Sequence, residues 1–209
     1  YRRQDLDPYL GVAELERNQE LIELVNKHGP SIKAIISTSA SQPVTKRCIE
    51  SGMELYWWNP IYDDFDSPNS VTRRVYQANK VPCLANGGNV GTSAWVVAHA
   101  VLGRSDVAMV GMDFSYAPDT PLLNTQYYKE IEEMFGDKTA DAFIYVDNPY
   151  TNETWFTDPA YYWYNQSFLQ LAKEAECNTL NCTEGGILFG EGIEFVPLRQ
   201  FLSSQTGSN

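Results

Sequence analysis

The chain has 209 residues, enough for one well-packed domain and short for two; its hydrophobic fraction of 43% and charged fraction of 20% are ordinary for a globular protein. A formal net charge of −12 repels a phosphate backbone and so excludes general nucleic-acid binding. No apolar run approaches the roughly 18 residues that a membrane span requires, and four cysteines with no C-x-x-C pair read as reduced thiols of a cytoplasmic protein.

The chain opens on Tyr1 rather than Met, so an N-terminal element is expected upstream. Leu15, Leu21, Ile22, Leu24 and Val25 follow a helical stripe that Gly29-Pro30 stops. The run 32–36 predicts a buried strand. Pro43 suits a first helical position, and Val44, Cys48 and Ile49 mark one face of a helix ending at Gly52. A second strand is expected over 53–57, broken by Asn59-Pro60 and followed by the acidic loop of Asp63, Asp64 and Asp66. Asn69 or Ser70 caps the next helix, with Val71 and Val75 inward. A third strand over 81–85, a turn over 87–91, an apolar helix over 92–102 and a fourth strand over 107–111 follow. The paired basic residues Lys46-Arg47 and Arg73-Arg74 read as solvated helix faces.

Strands alternating with helices at this spacing predict an α/β fold, a Rossmann-like open and mainly parallel sheet with helices on both faces. The expectation is a single domain over 1–209. Residues 117–158, rich in aromatics, Asn, Asp and Pro, read as an irregular insertion or lid with a helix near 127–135. Beyond it a helix over 159–175, a strand over 178–181 and a short hairpin with a closing helix over 187–202 are expected. The sequons at Asn152, Asn165 and Asn181 are short enough to arise by chance.

The strongest local signal is Asn86-Gly87-Gly88-Asn89-Val90-Gly91-Thr92-Ser93, between a predicted strand and a predicted helix. Glycines permit a tight turn and close approach of a ligand to the backbone, helix-start N–H groups favour an anion, and Thr92 and Ser93 add hydroxyls. The alternative is a packing turn that only starts a helix. The spacing is neither G-x-G-x-x-G nor a P-loop. Gly111-Met112-Asp113-Phe114-Ser115-Tyr116 places a carboxylate at a strand end, where it can bind ribose hydroxyls or Mg²⁺, or else cap a loop. Asn59 is a candidate for reading a base or ribose, and Asp63 is a candidate metal ligand against a solvated-loop alternative. Glu184, in Asn181-Cys182-Thr183-Glu184-Gly185-Gly186, is a candidate base or second ligand against a simple turn. With two histidines, His28 and His99, a His-based triad or zinc site has little support. The aromatic run Tyr161 to Tyr164 fits either core packing or stacking on a flat ring.

The stretches Gly87 to Ser93, Leu102-Gly103 and Val110 to Tyr116 resemble the archaeal 6-hydroxymethylpterin diphosphokinase-like family, which shares its domain with flagellar motility accessory factors. The similarity spans roughly residues 32–202. It implies a Rossmann-like domain and Mg²⁺-dependent transfer of diphosphate from ATP to a pterin hydroxymethyl group. Gly87, Gly111, Asp113 and Asn59 match the positions that surround the nucleotide in the related nucleotide-sugar transferases, and Gly88, Asn89, Gly91, Thr92, Ser93 and Tyr116 are the further expected nucleotide contacts. Under the diphosphotransferase expectation Asp113, with Asp63 or Glu184, would hold the metal, Asp113 and Glu184 are the expected catalytic residues, and Trp58 or Tyr116 would stack on the pterin. The motility factors and the more distantly similar bacterial sialyltransferases imply nucleotide-sugar chemistry instead, and a non-catalytic nucleotide-binding module is a further reading. Two departures stand out: Gly29-Pro30-Ser31 is not the family's opening G-x-G-P-S turn, and no His follows Asp113. The expected partners are a nucleotide and a small-molecule acceptor, with no nucleic acid and no membrane; homo-oligomerisation stays open.

Overall fold

The computed structural model describes the backbone of residues 12–206 and the side chains of 19–204. It is an α/β arrangement of short parallel sheets with helices, and its contacts group into two units, 1–84 and 85–209. No helix among the described residues is long and apolar enough to cross a membrane.

In the first unit, helix α1 (Val12–His28) ends at a 3-10 turn, Gly29–Ser31. Gly29 is required there, because a Cβ would stand 2.0 Å from the Ser51 carbonyl oxygen. Strand β1 (Lys33–Ser37), helix α2 (Gln42–Glu50), strand β2 (Glu54–Pro60), helix α3 (Val71–Asn79) and strand β3 (Cys83–Leu84) follow. The strands form a parallel sheet in the order β1-β2-β3, with Lys33 opposite Glu54 and Asn59 opposite Cys83. Two expectations need correction. Strand β2 runs through Asn59-Pro60 rather than breaking there. The N–H groups of Asn59 and Ile61 both donate to the β3 side, so the N–H that proline lacks would face the side of β1, which has already ended opposite Trp58. Strand β1 is also not buried throughout. Ile36 is buried, but Ile35 and its partner Tyr56 are exposed on a face that also carries the Lys33–Glu54 ion pair.

In the second unit, Asn89 caps helix α4 (Val90–Val96), which continues as a π-helical turn, Val97–Val101. Strand β4 (Asp106–Met109) stops two residues before Gly111, and Val110 is exposed. The stretch expected to be irregular holds real structure: helix α5 (Tyr128–Phe135), a 3-10 segment (Gly136–Ala142) and an antiparallel hairpin of β5 (Ile144–Asn148) and β6 (Glu153–Thr157). Ile131, Phe143 and Phe156 form its buried centre, with Tyr116, Leu122 and Tyr127 packed around them. Helix α6 (Pro159–Glu174) and strand β7 (Asn178–Asn181) stand where the sequence predicts them.

Strand β8 (Ile193–Phe195) pairs parallel to β7, giving the order β4-β7-β8, and helix α7 (Leu198–Thr206) follows. The expected terminal hairpin is therefore absent. The intervening loop buries Ile187 and Leu188, is held by the Asn181 amide donating to the Leu188 carbonyl, and carries the chain back at Gly190 and Gly192 with positive φ. Trp95 forms the core under this sheet. Its ring meets Phe168 edge-on at 5.0 Å and its indole N–H donates to the Thr179 hydroxyl at 3.0 Å.

Asp158 closes the neck of the insertion. It is fully buried, and one carboxylate oxygen accepts the N–H groups of Ala160 and Tyr161 at the start of α6. The other accepts the Tyr116 hydroxyl at 2.6 Å, and that hydroxyl in turn accepts the Gln126 N–H. In urea unfolding followed by tryptophan fluorescence, Asp158→Ala is expected to cost about 2–4 kcal/mol, a lost cap plus the acceptor of the Tyr116 hydroxyl. A cost below about 0.5 kcal/mol, within the range of ordinary surface changes, would show that Asp158 does not hold the neck.

Candidate ligand site at the carboxyl edge of the second sheet

Loops at the carboxyl ends of adjacent parallel strands are where open α/β sheets hold ligands. Residues 110–116 follow β4, and residues 182–187 follow β7. They are tied to one another by the Met112 N–H to the Thr183 hydroxyl (3.2 Å), the Cys182 N–H to the Met109 carbonyl (2.8 Å) and the Ile187 N–H to the Asp113 carbonyl (2.9 Å). Gly186, with φ 74°, closes the contact, since a Cβ would lie 2.5 Å from the Asp113 carbonyl oxygen. Each loop also contains a non-glycine residue in the left-handed region, Phe114 at φ 51° and Glu184 at φ 65°. Such backbone is costly and persists where the surroundings over-determine it. Here those surroundings include the Thr157 hydroxyl donating to the Phe114 carbonyl and the buried Asn148 amide donating to the Gly186 carbonyl.

Asp113, in the loop after β4, is half-buried. Burial pushes its pKa above the usual carboxylate range, with its own backbone N–H pulling the other way. Gly111, at φ 73°, has open space where a side chain would be.

The glycine turn is joined to the same loops. A Cβ on Gly91 would stand 2.1 Å from the Met112 sulfur, and one on Gly88 would lie 2.7 Å from the Trp163 ring and 2.6 Å from Tyr164. Within the turn, the Asn89 amide oxygen accepts the Thr92 N–H at 2.9 Å, and its nitrogen donates to the Thr92 hydroxyl at 2.9 Å. Gly88 N–H donates to the Asn86 side chain, and the Ser93 hydroxyl donates to the Asn89 carbonyl. Gly87, at φ 54°, leans on the Thr92 methyl. The hydroxyls of Thr92, which is fully buried, and Ser93 thus serve the turn itself.

Other expected site residues have definite local tasks. Glu184 accepts the Leu198 N–H at 3.1 Å and so caps α7. Tyr116 belongs to the Asp158 network and stacks on Tyr161 at 5.3 Å. In the first unit, Asn59 is fully buried; its oxygen accepts from Thr38 and Asn79, and its nitrogen donates to Asn79 and the Val81 carbonyl. Asp63 accepts the N–H groups of Val71 and Thr72 and the Ser70 hydroxyl, which hold its pKa well below the usual carboxylate range. Among the described residues no three His, Cys, Asp or Glu side chains gather into a metal cage.

Thr183, Asn148 and Met112 carry no sequence signal that marks them as site residues, and Trp163 is visible only within the run Tyr161 to Tyr164. The run Tyr161 to Tyr164 was a visible signal, but periodicity alone does not say which ring turns outward. Comparison with family models, with curated proteins and with solved structures returned no match to this chain.

The raised pKa of Asp113 has a stability consequence. A carboxyl group that is harder to ionise when folded contributes full stability below its unfolded pKa, and that contribution is lost as pH rises through its folded pKa. Asp113→Asn is therefore expected to raise the melting temperature at pH 7, with the gain shrinking as pH falls towards the carboxylate range. A gain that stays constant across that range would show that ionisation of Asp113 is not its source. Gly186→Ala is expected to lower stability by more than about 1 kcal/mol, through backbone strain and the clash with Asp113; an unchanged denaturation midpoint would contradict the tight contact between the two loops.

Proposed function

We propose that this chain binds a phosphorylated nucleotide at the carboxyl edge of the β4-β7-β8 sheet and transfers diphosphate from ATP to a 6-hydroxymethylpterin-like acceptor in the cytoplasm. The supporting observation is Asp113, a half-buried acidic residue in one of two mutually bonded strand-end loops, each with a left-handed non-glycine residue. Burial opposes the charge of Asp113, and a carboxylate perturbed in this way at a strand end is a candidate functional group. The motif resemblance supplies the reaction, and the parallel strands with helical connections accord with a Rossmann-like reading.

Mg²⁺ fits this donor set. The ion is commonly held by one or two carboxylates, with substrate phosphates and water completing its shell. Asp113 is the residue that would hold it, since Glu184 and Asp63 direct their carboxylates to the starts of α7 and α3. When bound, the ion neutralises charge on the phosphates. In the transfer, the acceptor hydroxymethyl oxygen attacks the β-phosphorus. The bond from that phosphorus to the oxygen bridging it to the α-phosphate breaks, AMP leaves, and the hydroxyl proton passes to solvent. The protein's part is positioning and electrostatic stabilisation. The engagement of Glu184 as a helix cap favours a second reading, a nucleotide-binding module without turnover.

Thermal stabilisation by ATP, CMP and a CMP-sugar, each with and without Mg²⁺, tests the proposal. ATP with Mg²⁺ at 100 times its dissociation constant is expected to add about 2.7 kcal/mol, and Asp113→Asn is expected to abolish that increment. Metal-independent stabilisation by CMP ligands alone would replace the reading with nucleotide-sugar transfer. ATP binding without pterin-dependent AMP release would leave the binding module.

A further inference from the structure

The glycine turn is bordered by an aromatic side chain that the fold leaves open. Trp163 is 58% exposed, whereas Phe168 on the same helix is completely buried and Asn165 nearly so. Exposure of that degree is uncommon for tryptophan, whose ring is usually well covered. The ring is held in place nonetheless. It meets Tyr164 edge-on at 5.6 Å, and Tyr164 packs on Tyr161, which stacks on Tyr116 at the insertion neck. Beside it lies Gly88, also exposed, with no side chain to cover its peptide units.

The two are fitted to each other. Any side chain at Gly88 would collide with Trp163 and Tyr164, and φ 82° there disfavours a Cβ in any case. A fixed, open indole next to bare backbone offers a stacking surface to a flat, polarisable ring. The connection continues inward, because Gly91 of the same turn touches Met112, the residue before Asp113. The turn that borders Trp163 thus also packs against the strand-end loop that carries Asp113. Neither Trp58 nor Tyr116 offers such a surface: Trp58 is buried, and Tyr116 is occupied by Asp158, Gln126 and Tyr161.

We propose that Trp163 is the platform on which a planar nitrogen heterocycle of the ligand stacks, making it the residue that selects ring-bearing ligands at this site. The proposal deepens the phosphorylated-ligand reading and rests on it for the direction of the ligand's tail. Adenine and pterin share the flat, nitrogen-rich ring, and separate arms of the test distinguish them.

The experiment is calorimetric titration of the full chain with Mg²⁺ and, in turn, ATP, adenosine, 6-hydroxymethylpterin and inorganic diphosphate, using wild type, Trp163→Ala and Trp163→Phe. Trp163→Ala is expected to weaken the ring-bearing ligands about tenfold or more, to leave diphosphate unchanged, and to be largely rescued by Trp163→Phe. Equal weakening of diphosphate, undiminished binding of the ring-bearing ligands, or no binding of any of them to wild type would each overturn the proposal. Binding of adenosine or pterin that depends on Trp163, with no diphosphate binding, would uphold the platform and remove the phosphate reading. Diphosphate binding with ring-bearing ligands indifferent to Trp163 would do the reverse.

Discussion

The Asp158 carboxylate is buried where strand β6 gives way to helix α6, and much of the second unit's arrangement follows from how its charge is satisfied. One oxygen takes two N–H groups of the helix start, and the other takes the Tyr116 hydroxyl from the loop after β4. A single residue therefore caps a helix and joins two points 42 residues apart in the sequence; the Tyr116 N–H to the Phe156 carbonyl reinforces the tie. Removing a buried charge from water is unfavourable unless its lone pairs are met, so this geometry is an all-or-nothing arrangement. It makes the insertion a fixed neighbour of the β4 loop, with its own packed aromatic centre.

From that neck, constraint passes to the candidate site. Phe114, two residues before Tyr116, is held in a left-handed conformation by the Thr157 hydroxyl next to Asp158. Asn148, at the end of β5, reaches the Gly186 carbonyl, and Gly186 presses against Asp113. The insertion thus supports both strand-end loops from behind. Asp113 is left as a carboxylate whose environment opposes its ionisation, a state that a cation or a hydrogen-bond donor on a ligand would relieve. The glycine turn adds a border whose internal polar groups are mostly satisfied by Asn86, Asn89 and Thr92, with the exposed ring of Trp163 beside it.

The first unit uses its polar strand-end residues differently. Asn59 joins the end of β2 to Thr38 and Asn79, 21 and 20 residues away in sequence, and is completely enclosed. Asp63 holds the start of α3 with three donors. Both residue types at a strand end are compatible with ligand contact, but the donors and acceptors around them are supplied by the protein. Of the three sequons, Asn165 and Asn181 are buried, and Asn152 is exposed at the turn of the β5–β6 hairpin.

The sequence by itself determined the local elements. Asp158-Pro159 starts α6, the apolar run around residues 33–36 forms β1, Asn178–Asn181 forms a strand, and Tyr128–Phe135 forms a helix, because capping, φ restriction and side-chain periodicity act over a few residues. It also marked the carboxyl end of β4, with Asp113, as a candidate place for chemistry. Tertiary structure decided the direction of β8, the hairpin inside the insertion, and which polar side chains are already spent. Glu184 finds Leu198 and Asn148 finds Gly186 only once the loops have met, through hydrogen bonds 14 and 38 residues apart. The same holds for the aromatic run on α6. Its composition announced a stacking surface or a core, and only the packing of Tyr161, Tyr164 and Phe168 against their neighbours turned Trp163 outward.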